Sequence, residues 1–370
     1  MRILQVVALF SPDGAFGGPV RVAFNQSAAL QKQGHDVTVA AATRGFAVPP
    51  SEVEGVPVRL FEARTLLPKA GFPGMGSPGL LNWFHHHGPE FDVVHIHFGR
   101  DLVVLPVAVS ARRRNIPYVL QTHGMVIPSQ HPLAKPLDAV WTRRLLREAG
   151  AVLYLTEQER CQLSEVARAP LALVQLGNGV PEYPAATHDA RTPEVLFVAR
   201  LHARKRPLLF VEMAKALLAE GIDARFTLIG PDEGEGGAVR AALAGETRIS
   251  WEGALAPAEI PRRMTAASIY VLPSEREPYP MTVLEAMAVG LPTVLAADCG
   301  LAPLVESARC GVVVNGGVAA FADAVRSLLV NRSGAIVMGE LARKVAHDDF
   351  GMDAISARLA DLYREVGRAA

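Results

Sequence analysis

The sequence predicts an α/β protein made of two doubly wound domains, and three observations lead to this fold class. The chain has 370 residues, more than one hydrophobic core normally organises, so two domains are expected. Short apolar runs alternate with helical patterns in both halves, which is typical of parallel sheets with helices on both faces. Residues 181–193 are rich in Pro and Ala without periodicity, which indicates a linker.

The first half contains short apolar runs separated by helical patterns. The runs predict strands at 3–10, 37–41, 56–61, 92–96, 118–121 and 151–155. Apolar residues at helical spacing predict helices at 22–33, 102–113 and 137–148. Gly and Pro interrupt the pattern at 71–79, which indicates a loop.

The second half repeats this alternation. Strands are predicted at 194–199, 225–229, 249–251, 269–272, 293–296 and 311–314. Helices are predicted at 207–219, 258–266, 319–329 and 350–366, and a further helix begins near Met281. In doubly wound sheets ligands bind at the carboxyl ends of strands, so the loops that follow strands hold the candidate residues.

Composition excludes several classes of protein. With 50% hydrophobic and 20% charged residues, the chain is globular rather than disordered, and a formal net charge of zero argues against a nucleic-acid-binding protein. Its apolar runs are too short to span a bilayer, and a strand begins at once without a cleavage site, so we expect a cytoplasmic protein. The cysteines, Cys161, Cys299 and Cys310, lack ligand spacing and are expected to be reduced packing residues.

The stretch 274–290 places two carboxylates around the start of a helix. Glu277 lies on the loop after the strand at 269–272, and Glu285 lies about one turn inside the following helix. Carboxylates accept hydrogen bonds from hydroxyls, and the free N–H groups of a helix start favour phosphate. A nucleotide-sugar carries these groups in that order. Two solvated charges are the alternative, and these residues alone leave the two interpretations level.

A basic segment closes the first strand of the second half. Arg200, Arg204, Lys205 and Arg206 stand at its carboxyl end, where they would neutralise a diphosphate. A solvated basic loop is the alternative, which the position disfavours. Because no Asp-x-Asp pair is present, the cations rather than a metal are expected to hold the diphosphate.

Glycines and histidines mark the strand ends of the first half. Gly17 and Gly18 would let a ligand approach, but the dinucleotide spacing Gly-x-Gly-x-x-Gly is missing, so a dehydrogenase is a weak alternative and an ordinary loop is favoured. His95 and His97 should share one face of their strand. A metal site with His123 lacks an acidic partner, and we expect His123 to contact a substrate hydroxyl instead.

The predicted helix at 137–148 has a basic face formed by Arg143, Arg144 and Arg147. Its apolar positions are Leu137, Val140, Trp141, Leu145 and Leu146. Such a helix could make a peripheral contact with an anionic membrane surface, although a solvated helix face is the favoured interpretation.

The ordered set of motifs resembles the retaining GT-B glycosyltransferases of family 4 over nearly the whole chain. The spacing from Glu277 to Glu285 is similar to the E-x7-E motif of that family. The other matching motifs are Gly17-Gly18, Asp92-Val-Val-His-Ile-His, Thr122-His-Gly, Gly177-Asn-Gly-Val, Arg200 with Lys205, Pro292, and the final helix with Tyr363. Tyr279-Pro280 departs from the usual Phe-Gly, and because proline lacks an N–H it would serve as a helix-start residue.

The resemblance implies two Rossmann-like domains facing across a cleft. The acceptor domain would span 1–180, the linker 181–193 and the donor domain 194–346, and the helix at 347–370 would cross back to the first domain. The catalytic residues would be His123, Arg200, Lys205 and Glu277. We assign the donor to Gly18, Gly230, Leu255, Glu277, Met281, Thr282 and Glu285, and the acceptor to Gly17, His97, Arg100 and Met125.

In the mechanism that the resemblance implies, Arg200 and Lys205 stabilise the leaving diphosphate. Glu277 contacts the sugar hydroxyls, Glu285 contacts the ribose, and a phosphate oxygen takes the proton of the acceptor.

We expect a metal-independent enzyme without a cofactor that transfers sugar from a UDP- or GDP-sugar. Its acceptor would be a lipid-linked intermediate or other glycan at the inner membrane face, in surface polysaccharide or glycolipid assembly. Alternatives are a small-molecule or natural-product acceptor, and a non-catalytic nucleotide-sugar binding protein. A sugar-nucleotide 2-epimerase of the same fold is a further alternative, but it is disfavoured because such enzymes lack the E-x7-E layout.

Overall fold

The computed structural model describes residues 1–12, 17–187, 192–256 and 258–369. The chain divides into two compact units, which are treated separately. Unit 1 contains Met1–Gly179 and Met352–Ala370, and unit 2 contains Val180–Gly351. Each unit is built around one largely parallel sheet, so the predicted α/β class is confirmed. Within the described part of the chain, no helix has the length and apolar character needed to cross a bilayer.

Unit 1 contains an eight-stranded sheet with the order β10-β9-β8-β7-β1-β2-β4-β3. The strands are β1 (Arg2–Phe10), β2 (Asp36–Thr43), β3 (Glu52–Val53), β4 (Val56–Glu62), β7 (Val93–His97), β8 (Tyr118–Gln121), β9 (Ala151–Tyr154) and β10 (Leu173–Gln175), and β5 (Arg64–Thr65) and β6 (Met75–Gly76) form a separate pair. The helices are α1 (Gly17–Lys32), α2 (Pro78–His87), α3 (Val104–Arg113), α4 (Ala134–Leu137), α5 (Arg143–Glu148) and α6 (Glu157–Ala167). The π-helix Asp138–Thr142 joins α4 to α5, so this segment is helical throughout.

Unit 2 contains a six-stranded sheet with the order β13-β12-β11-β14-β15-β16. The strands are β11 (Glu194–Val198), β12 (Arg225–Ile229), β13 (Ile249–Trp251), β14 (Ile269–Leu272), β15 (Thr293–Ala296) and β16 (Gly311–Val314). The helices are α7 (Pro207–Ala219), α8 (Gly236–Leu243), α9 (Ile260–Met264), α10 (Met281–Val289), α11 (Ala302–Ser307), α12 (Val318–Val330) and α13 (Arg332–Phe350). Apolar residues on both faces of the strands form one continuous core with α7, α10 and α12, as expected for a sheet covered on both sides.

The last helix, α14 (Met352–Ala369), belongs to unit 1. Its buried residues Ile355, Leu359 and Tyr363 pack in one cluster with Ile3 and Val93 of the sheet. Because α13 runs on through Phe350, the chain leaves unit 2 at Gly351 rather than at residue 346.

The segment predicted as a linker is partly bonded to unit 2. The amide of Ala186 donates to the carbonyl of Val289 over 2.7 Å, and the amide of Thr187 donates to Thr265 over 2.8 Å. Residues 188–191 of the predicted linker lie outside the described residues.

Several helices were not predicted because their apolar signal is weak. Helix α2 begins inside the predicted loop at 71–79 and buries only Leu80 and Phe84. Helix α13 buries the small residues Ala335, Gly339, Ala342 and Ala346, which hydrophobic periodicity does not detect. The other helices that were missed are α6, α8 and α11.

The expectation that all cysteines pack in the interior was wrong for Cys161, which is exposed on α6, whereas Cys299 and Cys310 are buried.

Candidate functional site

The carboxyl ends of β11 and β14 lie side by side in unit 2. The strand order reverses here, because β12 and β13 lie beyond β11 while β15 and β16 lie beyond β14. Val195 and Leu196 of β11 pair in parallel with Ile269 and Tyr270 of β14. Such a switch point is where open α/β sheets bind ligands. The loops 199–206 and 273–280, which carry the predicted catalytic residues Arg200, Lys205 and Glu277, therefore meet at this edge.

An ion pair between Lys205 and Glu277 joins these two loops. Their side chains are only 13% and 10% exposed, and the guanidinium of Arg204 lies 3.8 Å from the same carboxylate. The amide of Glu275 also donates to the carbonyl of Arg204 over 2.9 Å. The basic loop is therefore fixed against the acidic loop rather than extended into solvent.

Arg200 is paired with a residue that the sequence analysis did not single out. Its Nη1 lies 2.6 and 2.8 Å from the two carboxylate oxygens of Glu233, on the loop after β12. The Arg200 side chain is 57% exposed. A diphosphate at this edge would have to compete with Glu233 for the guanidinium.

Helix α10 begins directly after this acidic loop. Pro280 is its N-cap residue, with φ −76° and ψ 111°, and directly precedes the first helical residue. The amides of Met281 and Thr282 lie in the first turn, where a helix offers no internal acceptor. The hydroxyl of Thr282 accepts a hydrogen bond from Tyr270 over 2.7 Å. Two backbone donors at the positive end of α10 are thus available at the switch point.

Both carboxylates of the E-x7-E spacing are buried. Glu277 is 7% exposed and Glu285, inside α10, is 1% exposed. The alternative of two solvated charges at a helix start is therefore wrong. Buried carboxylates at a switch point of the sheet mark a candidate binding site.

Gly230 and Leu255 lie on neighbouring loops of the same edge. Gly230 has φ +145°, and a Cβ built there would overlap the carbonyl oxygen of Ala199. Its amide donates to Gly253 over 2.8 Å, and its carbonyl accepts from the indole of Trp251 over 2.9 Å. Close packing of the strand ends therefore explains why residue 230 is a glycine. Leu255 packs against the core of unit 2.

In unit 1 the strand order reverses between β1 and β7. Gly17 and Gly18 form the start of α1, which begins before the predicted residue 22. A Cβ on Gly18 would meet no atom of the described residues within 4 Å, so packing against that part of the chain does not require glycine there. Residues 14–16 of the predicted glycine loop lie outside the described residues.

Three histidines stack at the carboxyl end of β7 and β8. The rings of His95 and His97 lie 4.8 Å apart at 5°, and those of His97 and His123 lie 5.0 Å apart at 6°. Burial lowers the pKa of His95 and of His123 to about 3 and that of His97 well below its ordinary value. All three imidazoles are therefore neutral at pH 7. In the described parts of both units, no group of three or more His, Cys, Asp or Glu side chains could hold a metal ion.

Hydrogen bonds select one tautomer for His123. Nε2 of His97 lies 2.8 Å from the amide oxygen of Gln5, which only accepts, so His97 carries its proton on Nε2. Nδ1 of His97, 2.7 Å from Nε2 of His123, must then accept. His123 therefore donates from Nε2 and keeps a lone pair on Nδ1, which can accept a hydrogen bond from a hydroxyl.

The turn that carries His123 is held by Glu159, a residue that the sequence analysis did not single out. One carboxylate oxygen accepts from the hydroxyl of Thr122 over 2.5 Å and from the amide of Gly124 over 2.6 Å. The other oxygen accepts from the amide of Leu155 over 2.7 Å. The spacing Thr156-x-x-Glu159, which resembles a helix-capping pattern, was the one available signal.

Arg100 serves to fix neighbouring segments of unit 1. Its guanidinium makes two hydrogen bonds to Asp138, of 2.8 and 2.9 Å, and a third to the carbonyl of Ile127 of 2.9 Å. Arg100 is therefore committed within the protein, whereas the side chain of Met125 is exposed.

The predicted basic helix face is partly engaged as well. Arg143 donates to the carbonyl of Val166 over 3.0 Å, and Arg147 donates to that of Ala167 over 2.5 Å. These are C-terminal carbonyls of α6, which lack partners inside their helix. Arg144 is exposed, and Val140, which was assigned to the apolar face, is exposed too.

Two family models match the chain, one in each unit. The model described as Glycosyl transferase 4-like domain matches residues 17–179. The model described as Glycosyl transferases group 1 matches residues 192–331. The alpha-D-kanosaminyltransferase of Streptomyces kanamyceticus is 28% identical over 280 residues, 70% of this chain and 72% of that protein. A GDP-mannose-dependent alpha-(1-6)-phosphatidylinositol monomannoside mannosyltransferase of Mycobacterium tuberculosis is 26% identical over 305 residues, 74% of this chain and 77% of that protein.

Solved structures share the fold at lower identity. Sucrose-phosphate synthase from Thermosynechococcus elongatus superimposes with a TM-score of 0.76 and 20% identity, over 100% of both chains. Anabaena HepE in complex with UDP and glucose superimposes with a TM-score of 0.74 and 19% identity, over 98% of both chains. The chain therefore belongs to the group 1 glycosyltransferases, and its two units are the Rossmann-like domains of the GT-B fold.

Proposed function

We propose that this glycosyltransferase moves a sugar from a UDP- or GDP-sugar to an acceptor hydroxyl with retention of anomeric configuration. The observation that carries the proposal is the switch point of unit 2. There Lys205, Glu277 and the start of α10 converge, with Glu285 buried behind them.

The groups at this edge match the parts of a nucleotide-sugar in order. Glu285 would accept hydrogen bonds from the ribose hydroxyls, and Glu277 would accept them from the sugar. The amides of Met281 and Thr282 would donate to phosphate oxygens, which the helix dipole also favours. Relatives support either uracil or guanine as the base of the donor. HepE has been solved with UDP-glucose, and the mycobacterial mannosyltransferase is named GDP-mannose-dependent.

The proposed reaction is a displacement on one face of the sugar. The bond from the anomeric carbon to the phosphate oxygen breaks, and a bond to the acceptor oxygen forms on the same face. The acceptor proton passes to the departing phosphate oxygen, so no separate base is needed. Lys205 and Arg200 would stabilise the charge that develops on the diphosphate, in place of a divalent metal or any other cofactor. Neutral His123 would accept a hydrogen bond from a substrate hydroxyl.

We further propose that the acceptor is amphiphilic, a lipid-linked glycan intermediate at the inner membrane face, with the enzyme in the cytoplasm. Four large apolar side chains in the segment after His123 are exposed, namely Met125, Ile127, Leu133 and Val140. Exposed Arg144 on the adjoining helix would favour an anionic surface. Flotation with phosphatidylglycerol vesicles should recover the wild type and lose a Leu133→Ser/Val140→Ser variant. Equal recovery of both proteins would contradict this part.

A soluble small-molecule acceptor is the second candidate, and the kanosaminyltransferase relative favours it. The enzyme would then show no salt-sensitive vesicle binding and would retain full activity without lipid. A non-catalytic binding protein would bind the donor yet neither hydrolyse nor transfer it.

The experiment that tests the proposed reaction is proton NMR of slow donor hydrolysis with EDTA present. Incubated with UDP-α-glucose or GDP-α-mannose, the enzyme should release the α anomer first, before mutarotation. Initial release of the β anomer would overturn retention, and hydrolysis that requires added Mg²⁺ or Mn²⁺ would overturn metal independence.

A further inference from the structure

The buried carboxylate of Glu159 links two segments of unit 1, the turn 122–124 and the junction of β9 with α6. Its side chain is 4% exposed, and it accepts hydrogen bonds from Thr122, Gly124 and Leu155. Glu159 itself stands in the first turn of α6, where the hydroxyl of the N-cap residue Thr156 accepts from its amide over 3.3 Å. The carboxylate therefore links the start of α6 to the turn that contains His123.

That turn has a backbone conformation that residues with side chains adopt infrequently. His123 has φ +49° and Gly124 has φ +73°. A positive φ is uncommon for a residue with a side chain and persists where the surroundings enforce it. Two of the three donors to Glu159, the Thr122 hydroxyl and the Gly124 amide, directly flank His123. Their hydrogen bonds fix both sides of the constrained residue.

We propose that Glu159 is a positioning residue that holds His123 in the geometry needed for its hydrogen bond to His97. This proposal rests on the proposed function, in which His123 meets a substrate hydroxyl. Glu159 does not contact substrate itself. By fixing the turn it holds Nε2 of His123 2.7 Å from Nδ1 of His97, so that Nδ1 of His123 keeps its lone pair.

The chemistry of the three donors requires a carboxylate at this position. One oxygen meets two donors and the other oxygen meets the amide of Leu155. A glutamine would keep one oxygen acceptor but would turn its NH₂ group toward an N–H or O–H donor. Glu159→Gln therefore disrupts at least one of the three bonds without changing the shape of the side chain.

Two substitutions at residue 122 separate positioning from folding. Thr122→Ser keeps the hydroxyl donor, and Thr122→Val removes it at nearly equal volume. Thr156→Ala removes the cap of α6 and lowers stability, but leaves the three donors to Glu159 in place. Donor hydrolysis by Thr122→Val and Glu159→Gln should fall on the order of 10- to 100-fold, in kcat rather than KM. Thr122→Ser and Thr156→Ala should stay within about twofold of the wild type.

Nitrogen-15 NMR of the imidazoles gives a readout that altered stability alone would not change. In the wild type and in Thr156→Ala, His123 should show a protonated Nε2 and an unprotonated Nδ1. In Thr122→Val and Glu159→Gln, both nitrogens should move toward the average of the two tautomers. Unchanged His123 shifts, or equal activity of Thr122→Val and Thr122→Ser, would overturn the proposal.

The same variants keep this test distinct from that of the donor site. UDP or GDP should bind Thr122→Val as tightly as it binds the wild type, because Glu285, Lys205 and the amides of Met281 and Thr282, which are proposed to bind the nucleotide, lie in unit 2. Absence of nucleotide binding by the wild type would refute the proposed function, whereas normal binding and hydrolysis by all variants would refute only the positioning of His123.

Discussion

Lys205 and Glu277 form an ion pair at the switch point of unit 2, although 72 positions separate them in the sequence. The pair joins the loop after β11 to the loop after β14. Phosphate is the natural competitor of a carboxylate for an ammonium group. In the proposed complex, the donor diphosphate takes Lys205 and releases Glu277 to bind the sugar.

This exchange predicts different effects for the two partners. Lys205→Met should weaken UDP and UDP-sugar equally, by roughly 10-fold or more, because a charge-assisted hydrogen bond is worth about 1.5–3 kcal/mol. Glu277→Gln should leave the affinity for UDP unchanged or improved. It should lower the affinity for UDP-sugar relative to that for UDP. Calorimetric titration of both ligands checks this, with Lys344→Met on the exposed face of α13 as the matched control. Parallel losses of UDP affinity in both variants would contradict the exchange.

The histidine stack predicts a stability that falls in mild acid. Burial lowers the pKa of His95 to about 3. Below about pH 6.5 the His95 imidazole therefore binds a proton in the unfolded chain but stays neutral in the folded chain. Stability is thus complete above pH 6.5 and decreases as the pH falls toward the folded pKa, by up to about 1.4 kcal/mol per pH unit for each such histidine.

Urea unfolding between pH 6.5 and pH 5 measures this slope before most carboxylates titrate. His95→Asn, which keeps an acceptor for the hydroxyl of Tyr363, 2.6 Å from the imidazole nitrogen, should reduce the slope. A His86→Asn variant on the exposed end of α2 should not. The same slope in all three proteins would show that the stack does not titrate as described.

Gly230 predicts a large loss of stability on substitution. Gly230→Ala places a Cβ against the carbonyl of Ala199 at φ +145°, where L residues are strained, so a loss of about 2–4 kcal/mol is expected. Gly237→Ala in α8, with nothing within 4 Å of its Cβ, should be neutral or stabilising. Urea midpoints compare the two variants, and an equal effect of both would contradict the packing of the strand ends.

The sequence was informative where structure depends on local pattern. The apolar strands and the strand-loop-helix around Glu277 and Glu285 lie within short windows, so their order and spacing were readable. Pairings between distant residues were not. Glu233 opposite Arg200, and Glu159 beneath His123, become partners only when separate strands align their ends. In the same way, nothing local in the sequence indicates that Asp138 engages Arg100.

Titration of UDP, GDP and ADP into the wild type and Glu285→Gln tests whether Glu285 binds the nucleoside diphosphate of the donor. Glutamine keeps the shape of the buried side chain but replaces one acceptor oxygen by a donor, so ribose binding should weaken by about 10-fold or more. Glu212→Gln on the exposed face of α7 is the control and should bind as the wild type does. We expect UDP or GDP to bind the wild type and the control, and to bind Glu285→Gln much more weakly. Failure of all three nucleotides to bind, or equal affinity of Glu285→Gln and the wild type, would contradict it.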